Sequence, residues 1–458
     1  MGRAAGRGAA RLRPGMSAGR RDILRAGVWA ALWAGCGAGV RRAWPAQADG
    51  FRRLAAGPAT AQALAGPVPP VAALGYDGSS PGPLLRLRKG EALKVRLVNG
   101  LAQPTTLSWP GLRMPNAMAG VAGLTQPAVP PGASFDYRYT PPDSGFNLYR
   151  PHVGAATAGQ IGRGLYGPVI VEESAPPACD LETIVALADW RLDPQGGPSD
   201  EEGGGGSAPM AANGGPVPLA LGVAPGARVR LRLANAAVAR IMLIRVEGAR
   251  PLIVALDGQP AEAFEPLRNA FPMGPGARFD MMFDMPRDGA AVRFLLSGGA
   301  GDQPLLVFAA AGDALAPRPP LAGLPDNPLL PAEIDLQRAR RIDLTIAGGG
   351  AAPFSINGAT LRDWPVSPLF SAARGAPVTL GLINRTALTQ AIRIHGHVVR
   401  LLHPLDDGWE PYWRDGVLIA PGKTSHVAFV ADNPGVWPIE SAIPAHAAAG
   451  VMTTFAVG

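Results

Sequence analysis

The sequence predicts an all-β chain of three related β-sandwich domains, and three observations lead there. Short runs alternate apolar and polar residues: Ala92-Leu93-Lys94-Val95-Arg96-Leu97-Val98, Arg228-Val229-Arg230-Leu231-Arg232-Leu233 and Pro377-Val378-Thr379-Leu380-Gly381-Leu382-Ile383-Asn384. A period of two marks half-buried strands of antiparallel sheets. The same runs form an internal repeat, each entered through a glycine turn (Lys89-Gly90, Pro225-Gly226, Arg374-Gly375) and left at an asparagine (Asn99, Asn235, Asn384). They lie roughly 140 residues apart, the spacing of whole domains rather than of a solenoid. Gly (60) and Pro (49) together stand at about twice their average share, as many turns between short strands require.

Residues 1–48 read as an export signal and not as part of the fold. Arg20-Arg21 precede an uncharged run from Ala26 to Val40, 15 residues long, where a membrane span needs roughly 20. Ala46-Gln47-Ala48 offers a small-residue cleavage site. The paired arginines resemble a twin-arginine signal, which places the mature protein in the periplasm. Leu32-Trp33-Ala34-Gly35-Cys36 offers a lipoprotein attachment at Cys36 as the alternative, against which Trp33 speaks. The segment holds nine arginines and one aspartate; the whole chain is +7, so residues 49–458 sit near −1. The basic charge therefore belongs to the leader, and no nucleic-acid partner is expected. Cys179 is the one cysteine beyond the leader, so no internal disulfide forms. No transmembrane span is expected in the mature chain.

The mature chain divides at Pro-rich stretches. Ser174-Ala175-Pro176-Pro177 closes a first domain (49–175), and the stretch around Pro317-Arg318-Pro319-Pro320 separates a second (176–318) from a third (319–458). Within the second, low-complexity residues 194–216 read as a flexible surface insertion.

Five stretches carry a family resemblance. They are Thr105 to Arg113 with Gly123-Leu124-Thr125-Gln126-Pro127; Tyr149-Arg150-Pro151-His152 with Gly164-Leu165-Tyr166-Gly167-Pro168; Ala255-Leu256-Asp257-Gly258-Gln259-Pro260 with Gly274 to Asp280; Ile394-His395-Gly396-His397; and Trp437 through His446 to Met452, after Tyr412-Trp413-Arg414-Asp415. In this order they resemble the multicopper oxidases. The resemblance implies three cupredoxin-like (plastocyanin-like) Greek-key domains, with a type 1 copper and a three-copper cluster lying between the first and third.

Carried over residue by residue, the resemblance implies a depleted copper site. Ser108 and Pro110 stand where the family has two histidines, Arg150 replaces one, and His152 keeps one. Gln390 and Arg393 replace two further histidines, and His395 remains. Ser441 stands for the type 1 cysteine, Glu440 and Ala442 for the histidines that flank it, and Val451 for the axial methionine, with His446 a type 1 remnant. Without a thiolate no blue copper site is expected, and a cation at Arg393 repels copper from the type 2 position. No catalytic residue is assigned.

Two readings follow. The first is a non-catalytic structural or interaction module of the cell envelope, with an unidentified envelope protein as partner and no cofactor. In it Glu440 pairs with Arg150 or Arg393. The alternative is a mononuclear metal protein or residual copper oxidoreductase, holding one divalent ion (copper or zinc) at His152, His395 and Glu440. His397, His403 and His426 read as core or surface residues, and Met281, Met282 and Met285 as core packing rather than a copper relay.

Overall fold

The computed structural model describes residues 49–194, 197–199, 208–298, 301–360, 363–403 and 408–458. The export-signal reading of 1–48, with Arg20, Arg21 and Cys36, lies outside them, as do 195–196 and 200–207 of the expected insertion. Strands dominate and form six sheets, which fall into three groups along the chain: 52–171, 181–310 and 340–457. Among the described residues no helix is long and apolar enough to cross a membrane.

The repeat has a common structural role. Its three members form the strands Leu93–Asn99, Arg228–Asn235 and Ala376–Asn384. Each lies parallel to the first strand of its own group (Arg52–Ala61, Leu181–Asp189, Arg340–Ala347). On the other side it is antiparallel to a later strand (Ser134–Tyr139, Arg278–Asp284, Thr424–Ala431). The sheets are thus mixed rather than purely antiparallel. The closing asparagines are fully buried and do one job three times. Each amide donates to two carbonyls, Gln103 and Val129, Arg240 and Met273, or Leu388 and Ile419. Each side-chain oxygen accepts the N–H two residues on. A short amide that caps its own turn and ties down a second segment ends the strand at the same point in every unit.

Two expectations need correction. The strand Arg228–Asn235 is buried along its whole length instead of on one face. Its arginines are covered by carboxylates: Arg230 bonds Glu173 at 2.5 Å and Asp280 at 2.8 Å, and Arg232 bonds Glu182 at 2.7 Å and Asp280 at 2.8 Å. The alternation was real, but the polar face meets opposite charge rather than water. The insertion at 194–216 also ends in order: Met210–Ala212 and Gly215–Pro216 form a hairpin on Leu187–Asp189, with Met210, Ala211 and Ala212 buried. Asn213 and Gly214, both at positive φ, make its turn.

Glu173 gives a pH-dependent prediction. Burial pushes its pKa up, but the charges of Arg232 and Arg230 outweigh burial and hold it at about 2. A depressed carboxyl contributes stability that is present above its unfolded pKa and lost as pH falls through the folded one. Glu173→Gln is therefore expected to cost up to about 3 kcal/mol at pH 7. The difference from wild type should close as pH is lowered from about 4.5 toward 2, as read by urea unfolding.

One apolar cluster runs through the first and third groups, joining Trp109, Met114 and Leu107 to Trp437, Ile394 and Phe455. The second group has a core of its own, in which Met281 and Met285 are buried, as packing predicts. The groups are also tied by Arg278, fully buried at their junction, which donates to the Phe146 carbonyl, Asn147, the Gly276 and Asp257 carbonyls and Asp415.

Candidate functional site

Where the first and third groups meet, three side chains converge. Glu440 lies on the strand Gly435–Ser441, whose antiparallel neighbour Gln390–Ile394 runs straight into His395. The His395 backbone N–H donates to the Pro438 carbonyl at 3.0 Å. His152 follows the strand Gly145–Tyr149, and its backbone is held by Thr106, whose hydroxyl both donates and accepts at 3.0 Å. The Nε2 atoms of His152 and His395 each lie 2.8 Å from a different oxygen of Glu440, with the rings nearly perpendicular at 89°. All three residues are buried, and their potential ligand atoms fall within 4.8 Å of one another, the one such group among the described residues. Burial lowers the His395 pKa despite the pull of Glu440. Burial raises that of Glu440, but the two imidazoles overcome it and hold the carboxyl well below its usual range. A carboxylate accepting from both rings assigns the Nε2–H form to each.

The arginines do not pair as expected. Arg393 and Glu440 are direct cross-strand partners, yet both Glu440 oxygens are taken by imidazoles. Arg393 turns instead to Asp415, Nε to Oδ2 at 3.4 Å, and Arg278 reaches that same oxygen at 2.9 Å. Arg150 pairs through its backbone with Ser108; its guanidinium makes no hydrogen bond or ion pair among the described residues. Its pKa is pushed down to about 9, first by burial and then by Arg393. A cavity of about 20 Å³ opens beside Arg393, walled also by Ser108, Pro110, His395, Asp415 and Trp437 among others.

A second cluster lies on the far side of the strand pair. Ser441 stands opposite Ile392, facing away from Glu440. Its hydroxyl accepts the Ile443 N–H at 3.2 Å, and its N–H donates to the Val451 carbonyl at 2.8 Å. His446 Nδ1 lies 2.9 Å from the Gln390 side-chain oxygen, and the Gln390 amide donates to Thr386 at 3.1 Å.

The multicopper oxidase family matches residues 59–176 and 335–458. A multicopper oxidase from Pseudomonas thermotolerans is 31% identical and superposes with a TM-score of 0.81, over 89% of this chain and 99% of that one. The chain belongs to the multicopper oxidase family. Multicopper oxidase MmcO of Mycobacterium tuberculosis is 29% identical, over 85% of this chain and 84% of that protein. Lac15 from a marine microbial metagenome is 30% identical with a TM-score of 0.74, over 88% of this chain and 99% of that one. The all-β, cupredoxin-like fold is thereby established.

For a multicopper oxidase the donors are unusual. Gln390 and His446 meet through their side chains, and Ser441 and Val451 through their backbones; the four offer one imidazole and no thiolate. A soft copper site does not fit this set. On the cluster side Ser108, Pro110, Arg150, Arg393 and Ala442 supply two cations and no imidazole, and Ala442 packs with Ala391 and Ile443. His152, His395 and Glu440 fit one divalent ion by ligand type, although among the described residues His152 Nδ1 has no partner, where most metal-bound imidazoles are oriented by an acceptor at the other ring nitrogen.

The remaining histidines serve the fold. His397 is buried among Phe429, Trp437 and Phe455, its Nδ1 3.0 Å from the His395 carbonyl, while His403 and His426 are exposed. Sequence reasoning missed the roles of Asp257, Arg278 and Asp415. All three stood within the resemblance motifs, but a pairing that crosses 137 residues, Arg278 to Asp415, leaves no local signal.

Proposed function

We propose that this chain is an exported member of the multicopper oxidase family that has given up the type 1 and type 2 copper sites. On this reading it serves in the periplasm as a non-catalytic structural or interaction module of the cell envelope. The observation that carries it is the buried guanidinium of Arg393, ion-paired to Asp415, at the position that the family resemblance assigns to the type 2 copper, together with Ser441 where that resemblance expects the thiolate. A fixed cation and a hydroxyl oppose copper where the family's chemistry requires neutral imidazoles and a soft anion. The Arg20-Arg21 signal supports export.

The test is copper loading of the purified protein, followed by elemental analysis, visible absorbance and oxygen uptake with a phenolic reductant. No blue band and no oxygen consumption are expected; turnover with oxygen uptake would sink the reading. The type 1 position gives a constructive check. Ser441→Cys alone is expected to show no blue absorbance with copper, because Gln390 still replaces an imidazole. Ser441→Cys with Gln390→His completes a His₂Cys set with His446 and is expected to show the band.

A second reading, one divalent ion at His152, His395 and Glu440, is favoured by the convergence of these three side chains. One equivalent of zinc or copper retained by the wild type and lost in His395→Ala supports it. Protein that stays metal-free after incubation with both ions removes it.

A further inference from the structure

The two arginines that stand in the copper region lack the partners a buried charge needs. Arg150 and Arg393 are 7% and 2% exposed. Arg393 Nε and Nη1 have no hydrogen-bond acceptor among the described residues, and the residue walls the cavity of about 20 Å³. Its contact with Asp415 at 3.4 Å is no substitute, since that carboxylate oxygen already accepts from Arg278 at 2.9 Å. Asp415 therefore serves two guanidiniums, with Asp257 as a second carboxylate 3.8 Å from Arg278 alone, and Arg150 has none within ion-pair distance among the described residues. Like charges held together away from water are costly unless an opposite charge joins them.

The cavity sets the size of what can join them. At about 20 Å³ it exceeds the roughly 10–15 Å³ that a water needs, so a particle of water or halide size fits. A water would satisfy the Arg393 donors but would leave the repulsion between Arg150 and Arg393 in place. A divalent anion would be repelled by the adjacent Asp415. We propose that this cavity binds one small monovalent anion of halide size, held by Arg393 and favoured by the charge of Arg150. The site goes beyond the non-catalytic reading and does not rest on it, because Arg393 holds the anion whether or not His152, His395 and Glu440 take a metal.

Bromide is the probe. Crystals of the full chain grown in sodium bromide should show one anomalous peak within hydrogen-bond distance of Arg393 Nε or Nη1. In solution, replacing sodium gluconate by sodium bromide or chloride at constant ionic strength should raise Tm saturably, as binding to the native state alone requires. Arg393→Gln should abolish the saturable part. Should that variant fail to fold, Arg150→Gln is expected to weaken halide binding at least tenfold while Arg150→Lys, which keeps the charge, retains it. A cavity with water density and no anomalous signal would overturn the proposal. So would a Tm response equal in gluconate, or a bromide peak in crystals without any saturable response in solution.

Discussion

Arg278→Ala is expected to destabilise the protein by about 3–5 kcal/mol, the usual cost of removing one partner from a buried, bonded ion pair. Arg278 is fully buried and donates to residues of all three sheet groups: Phe146 and Asn147, Gly276 and Asp257, and Asp415. Alanine would leave two backbone carbonyls with bonds of 2.7 Å lost and Asp415 without its strongest partner, each a buried acceptor left unsatisfied. Gly111 shows how closely the neighbours fit, since a Cβ added there would come 2.0 Å from the Arg278 guanidinium. Arg278→Lys keeps the charge but not the planar fork that reaches five acceptors at once, so it should fall between wild type and alanine. Urea unfolding followed by tryptophan fluorescence reads the effect. A midpoint shift worth less than about 1 kcal/mol would mean that the junction is held by apolar contact instead. Loss of a single cooperative transition in the variant would show that the second group had come free of the other two.

The other large effect belongs to Glu440. Glu440→Ala removes the acceptor of both imidazoles and a carboxylate charge that favours the Arg150 cation, and is expected to cost about 3–5 kcal/mol. Glu440→Gln is expected to cost clearly less. Its amide oxygen can still accept from one imidazole, while its NH₂ donates to the other once that ring takes the Nδ1–H form. His152 is suited to that change, because its Nδ1 has no competing partner among the described residues. If the second reading holds, both substitutions should lower zinc affinity at least 100-fold, as the carboxylate ligand is lost from a three-donor set. Equal stability of the two variants would contradict the hydrogen-bonding account, and unchanged metal uptake in both would contradict the ligand assignment.

The fold was largely legible before the structure. Alternation at 92–98, 228–233 and 377–384 located three strands to within about two residues, and the recurrent asparagine was visible as a repeat. Its reason was not: the bonds from Asn99 to Val129 and from Asn384 to Ile419 close over 30 and 35 residues. The arginine face of 228–235 misled because alternation reports polarity, and polarity does not distinguish water from a buried carboxylate. The expected loop at 194–216 misled at its 210–216 end because small residues mark turns and also fit tight, buried hairpins.

The sequence by itself determined that the chain is all-β and threefold in its repeat, and that Ser108, Arg150, Gln390, Arg393 and Ser441 stand where the family resemblance implies copper ligands. These are statements of residue type and order, which local periodicity and motif spacing record. Only the tertiary structure decided the pairing. Glu440 bonds two histidines instead of an arginine, Asp415 is shared by Arg278 and Arg393, and Arg393 keeps two donors without an acceptor among the described residues beside a small cavity. The physical reason is that a buried charge chooses its partner by distance and direction across sheets brought together from different parts of the chain. Where three carboxylates and three arginines meet within one junction, residue type alone allows several pairings, and the packing of the sheets selects one.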